Sequence, residues 1–229
     1  MRTRQLFSLR LLVPLGLLIV AGCAAQTVTP DGLVSEHSGK FDELYFRPNT
    51  DIGGYRRVLI ELVPVKFRAD YLNQQHGNNY LLAQPMYKPY QDADSIAQDY
   101  AGLMQASLAD AFRGANYEVV SSAGAGVLRI SAKIDELFIN APDRLSSTVR
   151  ATANRDTGQA MISLEAADAA SGAVLARVIH RNIVRQANRA NLADDSSNRF
   201  WFETAFRRFS DNVTAELGAS RRTQVSAAR

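Results

Sequence analysis

The amino terminus limits which part of this chain can fold. Residues 1–10 contain three arginines and no acidic residue, and an apolar run follows from Leu11 to Val20. A basic segment followed by a short apolar segment is typical of a signal peptide. The apolar run is about half of the roughly 20 residues that a helix needs to cross a bilayer, which argues against a permanent membrane span. We therefore predict that residues 1–22 are removed.

The only cysteine of the chain, Cys23, directly follows Val20, Ala21 and Gly22. This tetrapeptide resembles the bacterial lipobox, in which the peptide is cut before the cysteine and the cysteine is acylated on its thiol and on its new amino group. A lone thiol in an exported protein needs an explanation, and acylation supplies one. Several acyl chains hold a protein at a membrane, whereas one chain does so only marginally. The alternative is an ordinary secretory signal with an incidental cysteine.

The residue after the cysteine indicates which membrane holds the protein. In the lipoproteins of two-membrane bacteria that this segment resembles, an aspartate at that position commonly retains the protein at the inner membrane. Ala24 favours transfer to the outer membrane. We expect residues 23–31 to form a short lipidated tether and the domain to lie on the periplasmic face.

Hydrophobic periodicity in the remaining chain predicts an α+β fold, with about five mostly antiparallel strands and two amphipathic helices packed on one sheet face. The first strand, about residues 58–65, is nearly continuously apolar, which predicts burial on both faces, and Pro64 marks a bulge or the end of pairing. The other strands are expected near 117–121, 128–135, 161–168 and 174–184.

The two predicted helices have clear ends. The first begins near Ser95, which has capping-box spacing to Gln98, and ends at Gly114. The second carries an aromatic stripe from Phe202 to Leu217 and is expected to run from about residue 196 to Gly218. We thus predict one domain over residues 32–218 and a disordered tail over residues 219–229. Phe200 and Trp201 lie just outside the stripe, and we expect them to cap the core; the alternative is that they dock a partner.

Residues 173–185 leave two interpretations open. Arg177, Arg181 and Arg185 recur at a spacing of four, which would line one face of a helix. The β-branched residues between them favour a strand instead. The preceding residues 169–172 are typical of a hairpin turn, which also favours the strand.

The sequence contains no recognisable catalytic or cofactor-binding motif. His37, His76 and His180 lie far apart, without the spacing of metal ligands, and no serine has the glycine-flanked setting of a hydrolase nucleophile. Removal of residues 1–22 takes away three of the 26 basic residues and leaves 23 beside 23 acidic ones, so a nucleic-acid partner is not predicted. We predict no enzymatic activity, no metal and no cofactor.

The stretch from Phe67 to Gln91 is the best candidate for a contact surface. It has no periodicity, which predicts a long loop, and long loops in compact domains are often functional. Tyrosines among asparagines and glutamines suit sugar stacking or a protein interface. The candidate partner-binding residues are Tyr71, Tyr80, Tyr87 and Tyr90, and the expected partner is an envelope protein or peptidoglycan. The alternative is a loop packed on its own domain.

Several short motifs over about residues 32–217 resemble the bacterial lipoprotein family known as domain of unknown function 3313. They are Gly32-Leu33, Tyr55-Arg56-Arg57-Val58-Leu59-Ile60, Tyr117-Glu118-Val119-Val120, Gly126-Val127-Leu128-Arg129, Asp168 and Ser171-Gly172-Ala173-Val174-Leu175. The family has no assigned activity, so the resemblance implies a lipoprotein and no catalytic residue.

Three functions remain open at this point. The favoured one is a non-catalytic, outer-membrane-anchored lipoprotein for binding or envelope assembly. The others are a subunit of an oligomeric secretion or export complex and an enzyme acting on cell-envelope material. The oligomeric state is not predicted.

Overall fold

One large mixed sheet and two helices form the part of the chain that the computed structural model describes, residues 27–69, 93–139, 156–185 and 195–227. The elements are β1 (Val34–Glu36), β2 (Glu43–Phe46), β3 (Arg57–Ile60), β4 (Val65–Phe67), α1 (Ala93–Gly114), β5 (Glu118–Val120), β6 (Val127–Ile139), β7 (Asp156–Asp168), β8 (Val174–Arg185) and α2 (Asp195–Ala227). The strand order is β1-β2-β8-β7-β6-β3-β5, and β4 pairs with β6 beyond the end of β3.

The α+β class is confirmed, but the expected number of about five strands is wrong, because the sheet has eight. The additional strands β1, β2 and β4 have only three or four residues each, too few to show an alternating pattern. The pairing is also more mixed than expected, since β3 and β4 both run parallel to β6. Pro64 separates β3 from β4, as predicted for a residue that cannot donate to a ladder.

The prediction that the first strand is buried on both faces is wrong. In β3, Val58 is fully buried, but Leu59 and Ile60 are only partly so. Leu62, just after the strand, is 83% exposed. β3 lies between β5 and β6, next to the edge of the sheet, and only one of its faces packs on the core.

The long strands β6, β7 and β8 give the sheet one covered face. In β6, Leu128, Ile130, Ala132 and Ile134 are buried, while the residues between them are partly or fully exposed. Leu164 of β7 and Val178 of β8 continue the buried face through direct cross-strand pairing. Helices α1 and α2 pack on this side and on each other. The residues of β6 on the opposite face, Arg129, Ser131 and Lys133, are partly or fully exposed, and we call this the uncovered face.

The predicted apolar stripes of both helices are confirmed as buried. Helix α1 buries Ile96, Tyr100, Met104 and Phe112, and α2 buries its whole predicted stripe, Phe202, Phe206, Phe209, Val213 and Leu217. The predicted end of α2 at Gly218 is wrong, since the helix continues to Ala227 through most of the segment that we expected to be disordered. Glycine weakens a helix but does not by itself end one.

Residues 174–185 form the strand β8, not a helix, which resolves the ambiguity left by the arginine spacing. The predicted hairpin with β7 is present. Its turn places Gly172 at φ 76°, where glycine has no steric cost. The carboxylate of Asp168 accepts hydrogen bonds from the backbone N–H and the hydroxyl of Ser171, both at 2.7 Å, which closes the turn.

Residues 27–31, which we expected to be part of a tether, contact the sheet. The Ser35 N–H donates to the Thr27 carbonyl at 2.9 Å, and Val28 forms a bridge with Val34. Asp31 forms an ion pair with Arg177 of β8 at 2.8 Å. The chain is therefore attached to the sheet from Thr27 onward.

Candidate functional site: the loop end of the sheet

The residues that the sequence singled out most strongly lie outside the described residues. This holds for the lipobox, Val20 to Cys23, and for Tyr71, Tyr80, Tyr87 and Tyr90. The residues that flank the tyrosine segment are described, however. They fix the points at which the chain leaves and rejoins the fold.

Three connections leave the sheet at one end, which we call the loop end. Phe67 of β4 is level with Leu137 near the end of β6, and Ile139 of β6 faces Gly158 near the start of β7. Asp156 of β7 in turn faces Arg185, the last residue of β8. The connections between β4 and α1, β6 and β7, and β8 and α2 therefore all start here. The predicted tyrosine loop is the first of them.

Both helices begin at the same end. The ring of Phe202, in the early part of α2, lies edge-on to Tyr100 of α1 at a centroid distance of 4.9 Å. Arg199 and Asp99 are 3.9 Å apart across the two helices. A β-carbon placed on Gly158 would lie 2.7 Å from the Phe202 ring, which brings the start of α2 against the start of β7. The loop end thus combines three strand ends with two helix starts.

An aromatic pair is exposed at the loop end. Phe200 is 58% exposed, and its ring lies edge-on to Trp201 at 5.2 Å, while Trp201 itself is partly buried against the core. The expectation that both residues cap the core is therefore wrong for Phe200. Phe200 lies off the buried stripe, and helical periodicity alone could have placed it on the outer side. A large exposed aromatic residue next to a partly buried one is the kind of anchor that interfaces use.

A buried amide lies one helical turn before Phe202. Asn198 is 1% exposed, yet neither its amide nitrogen nor its carbonyl oxygen has a hydrogen-bond partner among the described residues. Leaving such groups unpaired costs about 1–3 kcal/mol. Apart from its place near a predicted helix start, nothing in the sequence marks Asn198. Its amide is a polar group that a ligand or a bound chain at this end could pair.

A cation also lies at the loop end. The guanidinium of Arg68 is 3.8 Å from the centroid of the Phe138 ring and donates to the side chain of Gln159 at 3.2 Å. Arg68 follows β4, and Phe138 and Gln159 pair across β6 and β7. These contacts hold the beginning of the predicted tyrosine loop against the uncovered face of the sheet.

Within the described ranges, no three histidine, cysteine, aspartate or glutamate side chains come close enough to hold a metal ion. None of the helices in those ranges is long and apolar enough to span a membrane. His180 lies 3.3 Å from Asp42, but its ring is packed between Phe41 and Phe209, which is the setting of a side chain at the core boundary.

Residues that carry the family resemblance meet at the opposite end of the sheet. The Tyr55 hydroxyl donates to Asp168 at 2.8 Å, and Asp168 also closes the turn at Ser171. Arg57 donates to the Ala125 carbonyl at 2.6 Å. These contacts fix turns and strand ends. The motif residues named here therefore have a structural role and do not form a reactive site.

The Tyr55 contact makes a pH-dependent prediction. Burial, together with the hydrogen bond to Asp168 and the charge of that carboxylate, raises the pKa of Tyr55 from 10.0 to about 12. Because the folded chain favours the neutral phenol, its contribution to the free energy of unfolding is complete below pH 10 and is lost as pH rises toward 12. Difference titration of the wild type against Tyr55→Phe at 295 nm should show one phenol ionising near pH 12. If the phenol that the variant lacks instead ionises near pH 10 in the wild type, the contact between Tyr55 and Asp168 would be contradicted.

The comparisons with known proteins identify no family. No family model matches the chain, and no curated protein matches it. The resemblance to domain of unknown function 3313 thus remains a prediction.

Among solved structures, the PelC dodecamer of Paraburkholderia phytofirmans is 9% identical, with 72% of this chain and 95% of that chain covered at a TM-score of 0.36. A Xanthomonas campestris protein of domain of unknown function 330 is 9% identical, with 75% of this chain and 87% of that chain covered at a TM-score of 0.36. A neuraminyllactose-binding hemagglutinin homologue of Helicobacter pylori is 11% identical, with 77% of this chain and 92% of that chain covered at a TM-score of 0.34. Likeness at this level carries no argument about function.

Proposed function

We propose that this protein is an outer-membrane lipoprotein, anchored through Cys23 on the periplasmic side, that binds an envelope partner without catalysing a reaction. The anchor is supported by the basic start, the short apolar run and the tetrapeptide that ends at the only cysteine. Ala24, directly after the cysteine, supports sorting of the protein to the outer membrane.

The binding role is supported chiefly by one observation, the exposed Phe200 beside the place where three connections leave the sheet. Binding residues are found disproportionately on loops that a rigid scaffold positions. Here the scaffold is the pairing of β6, β7 and β8, and the loops include the one that carries Tyr80 and Tyr87. The partner that this chemistry fits is a protein surface or the sugar rings of peptidoglycan, because aromatic side chains stack on both.

The buried stripe of α2 is excluded as a contact surface, whereas Phe200 lies on the exposed side of the same helix. Phe202, Phe206 and Phe209 are each at most 2% exposed, so they are committed to the core. The uncovered sheet face is rich in charged side chains that pair with each other, such as Arg177 with Glu165 at 2.9 Å. Surface pairs of this kind contribute little binding energy. Among the described residues, the loop end holds the exposed ring of Phe200 and the buried amide of Asn198.

The anchor has a direct test. Metabolic labelling with a palmitate analogue should label the wild-type protein, and Cys23→Ala should abolish the label, because the acylated thiol is missing. Equal labelling of the two proteins would refute lipidation at this residue. A matched serine-to-alanine change at Ser38, in an exposed loop, should leave the label unchanged.

The choice of membrane is tested separately. Wild-type protein should be recovered with the outer membrane after density fractionation. Ala24→Asp should move it to the inner-membrane fraction while leaving acylation intact. Recovery of the wild type with the inner membrane would contradict the role of Ala24 but not the anchor.

A further inference from the structure

The first described residues are held firmly to the edge of the sheet. The Thr29 N–H donates to the Leu33 carbonyl at 2.8 Å, and the Leu33 N–H donates to the Thr29 hydroxyl at 3.0 Å. Leu33 is fully buried, and Asp31 is tied to Arg177 by an ion pair. This turn, from Thr27 to Leu33, has local hydrogen bonds, a buried side chain and a charge contact to β8. It therefore moves with the sheet as one body.

Very little chain separates this turn from the proposed lipid. Only residues 24–26 lie between Cys23 and Thr27. At 3.3–3.6 Å per residue, four steps from Cys23 to Thr27 span at most about 14 Å. The sheet is wider, because six inter-strand steps of 4.7–4.9 Å separate β1 from β5, or roughly 29 Å. An anchor at Cys23 thus restrains one edge of the sheet much more tightly than the other.

We propose that the edge formed by Thr27–Leu33 and β1 is held against the phospholipid surface that carries the anchor, with Val28 in the contact. This inference rests on the lipid anchor proposed above and adds the orientation of the domain. The edge that carries β5 then points away from the membrane, toward the periplasm.

The composition of the edge fits a lipid surface. Val28 is 60% exposed, the only large apolar side chain of the described residues in this turn and β1 that is so exposed. Two charged side chains of this edge have partners within the protein. Asp31 pairs with Arg177, and Arg47 donates to the Val174 and Asp31 carbonyls. These two groups therefore keep their partners when the edge meets the headgroup region.

Fluorescence quenching tests this orientation on the full-length lipidated protein. Val28→Cys, Glu118→Cys and Lys133→Cys variants would each carry a nitrobenzoxadiazole label, since acylation blocks the Cys23 thiol. They would be reconstituted into vesicles of phosphatidylethanolamine and phosphatidylglycerol that contain a lipid with a nitroxide on its headgroup. Glu118 lies on β5 at the far edge, and Lys133 lies on the uncovered sheet face. Intact mass would report the acyl chains in each preparation.

We expect the label at Val28 to be quenched several-fold more strongly than the labels at Glu118 and Lys133. A flexible insertion of about ten Gly and Ser residues between Gln26 and Thr27 should remove most of that difference, because the tether would no longer restrain the edge. Quenching at Lys133 equal to that at Val28 would mean that the domain lies with its uncovered sheet face on the membrane, and would overturn the proposal. A difference that survives the insertion would refute the short tether as the cause of the orientation. A protein mass without acyl chains would refute the lipid anchor itself, a distinguishable failure.

Discussion

Replacement of Gly158 by alanine is expected to destabilise the fold severely. A β-carbon at this position would overlap the Phe138 carbonyl oxygen and lie 2.7 and 2.9 Å from two ring atoms of Phe202. Overpacking of a core typically costs about 1–3 kcal/mol. We expect a loss at or above the upper end of that range, because the closest atom belongs to the backbone of a paired strand and cannot move aside. Urea unfolding followed by circular dichroism would measure it.

Gly102→Ala is the matched control. Gly102 lies within α1, and a β-carbon there meets no atom within 4 Å. Alanine is favoured over glycine in a helix interior by about 0.8–1 kcal/mol, so this variant should be as stable as the wild type or more so. Equal unfolding midpoints for the two glycine variants would show that β7 and α2 are not in contact at Gly158.

Phe206→Ala is expected to cost about 3–5 kcal/mol, as a large-to-small change at a buried aromatic residue. Phe206 has no exposed surface and packs against Phe202 at 5.9 Å between ring centroids. A loss of that size is a large share of the 5–15 kcal/mol that stabilises a typical domain. The free energy of unfolding from denaturant titration would measure it.

Phe200→Ala provides the comparison within the same helix. Phe200 is 58% exposed, so its removal should change the free energy of unfolding by less than about 1 kcal/mol. Similar losses for Phe200→Ala and Phe206→Ala would mean that Phe200 belongs to the core, and the loop end would lose its described aromatic anchor.

The elements that could be predicted are those long enough to show a period. The stripe of α2 from Phe202 to Leu217 and the alternation in β6 from Leu128 to Ile134 are both buried as expected. In each case, buried residues recur on one face over several helical turns or several residue pairs of the strand. Packing of that one face on the core therefore explains the periodic pattern of apolar residues.

The short strands could not be predicted, because they are stabilised by pairing with segments that are distant in the sequence. Leu44 and Phe46 of β2 are buried by pairing with β8, which is more than 120 residues away in sequence. Four residues allow too few alternations to distinguish a strand from a loop. The extension of α2 past Gly218 was missed for a related reason, since glycine is a weak stop signal when the flanking residues favour a helix.

The candidate site was predictable only in part. The tyrosine segment between Phe67 and Gln91 was identified by composition, but composition did not show that two further connections start beside it. That arrangement follows from the antiparallel pairing of β6, β7 and β8. Asn198 was missed, because a buried amide without a partner has no sequence signature.

In-cell photo-crosslinking from the loop end tests the binding proposal most directly. Benzoylphenylalanine in place of Phe200 should form denaturation-resistant adducts with an envelope partner in living cells, whereas the same probe at Glu118 should not. The double change Tyr80→Ala and Tyr87→Ala should abolish the adducts and leave the melting temperature within a few degrees of the wild type. Adducts from Glu118 alone would contradict the account. So would a tyrosine pair that is as destabilising to remove as Phe206.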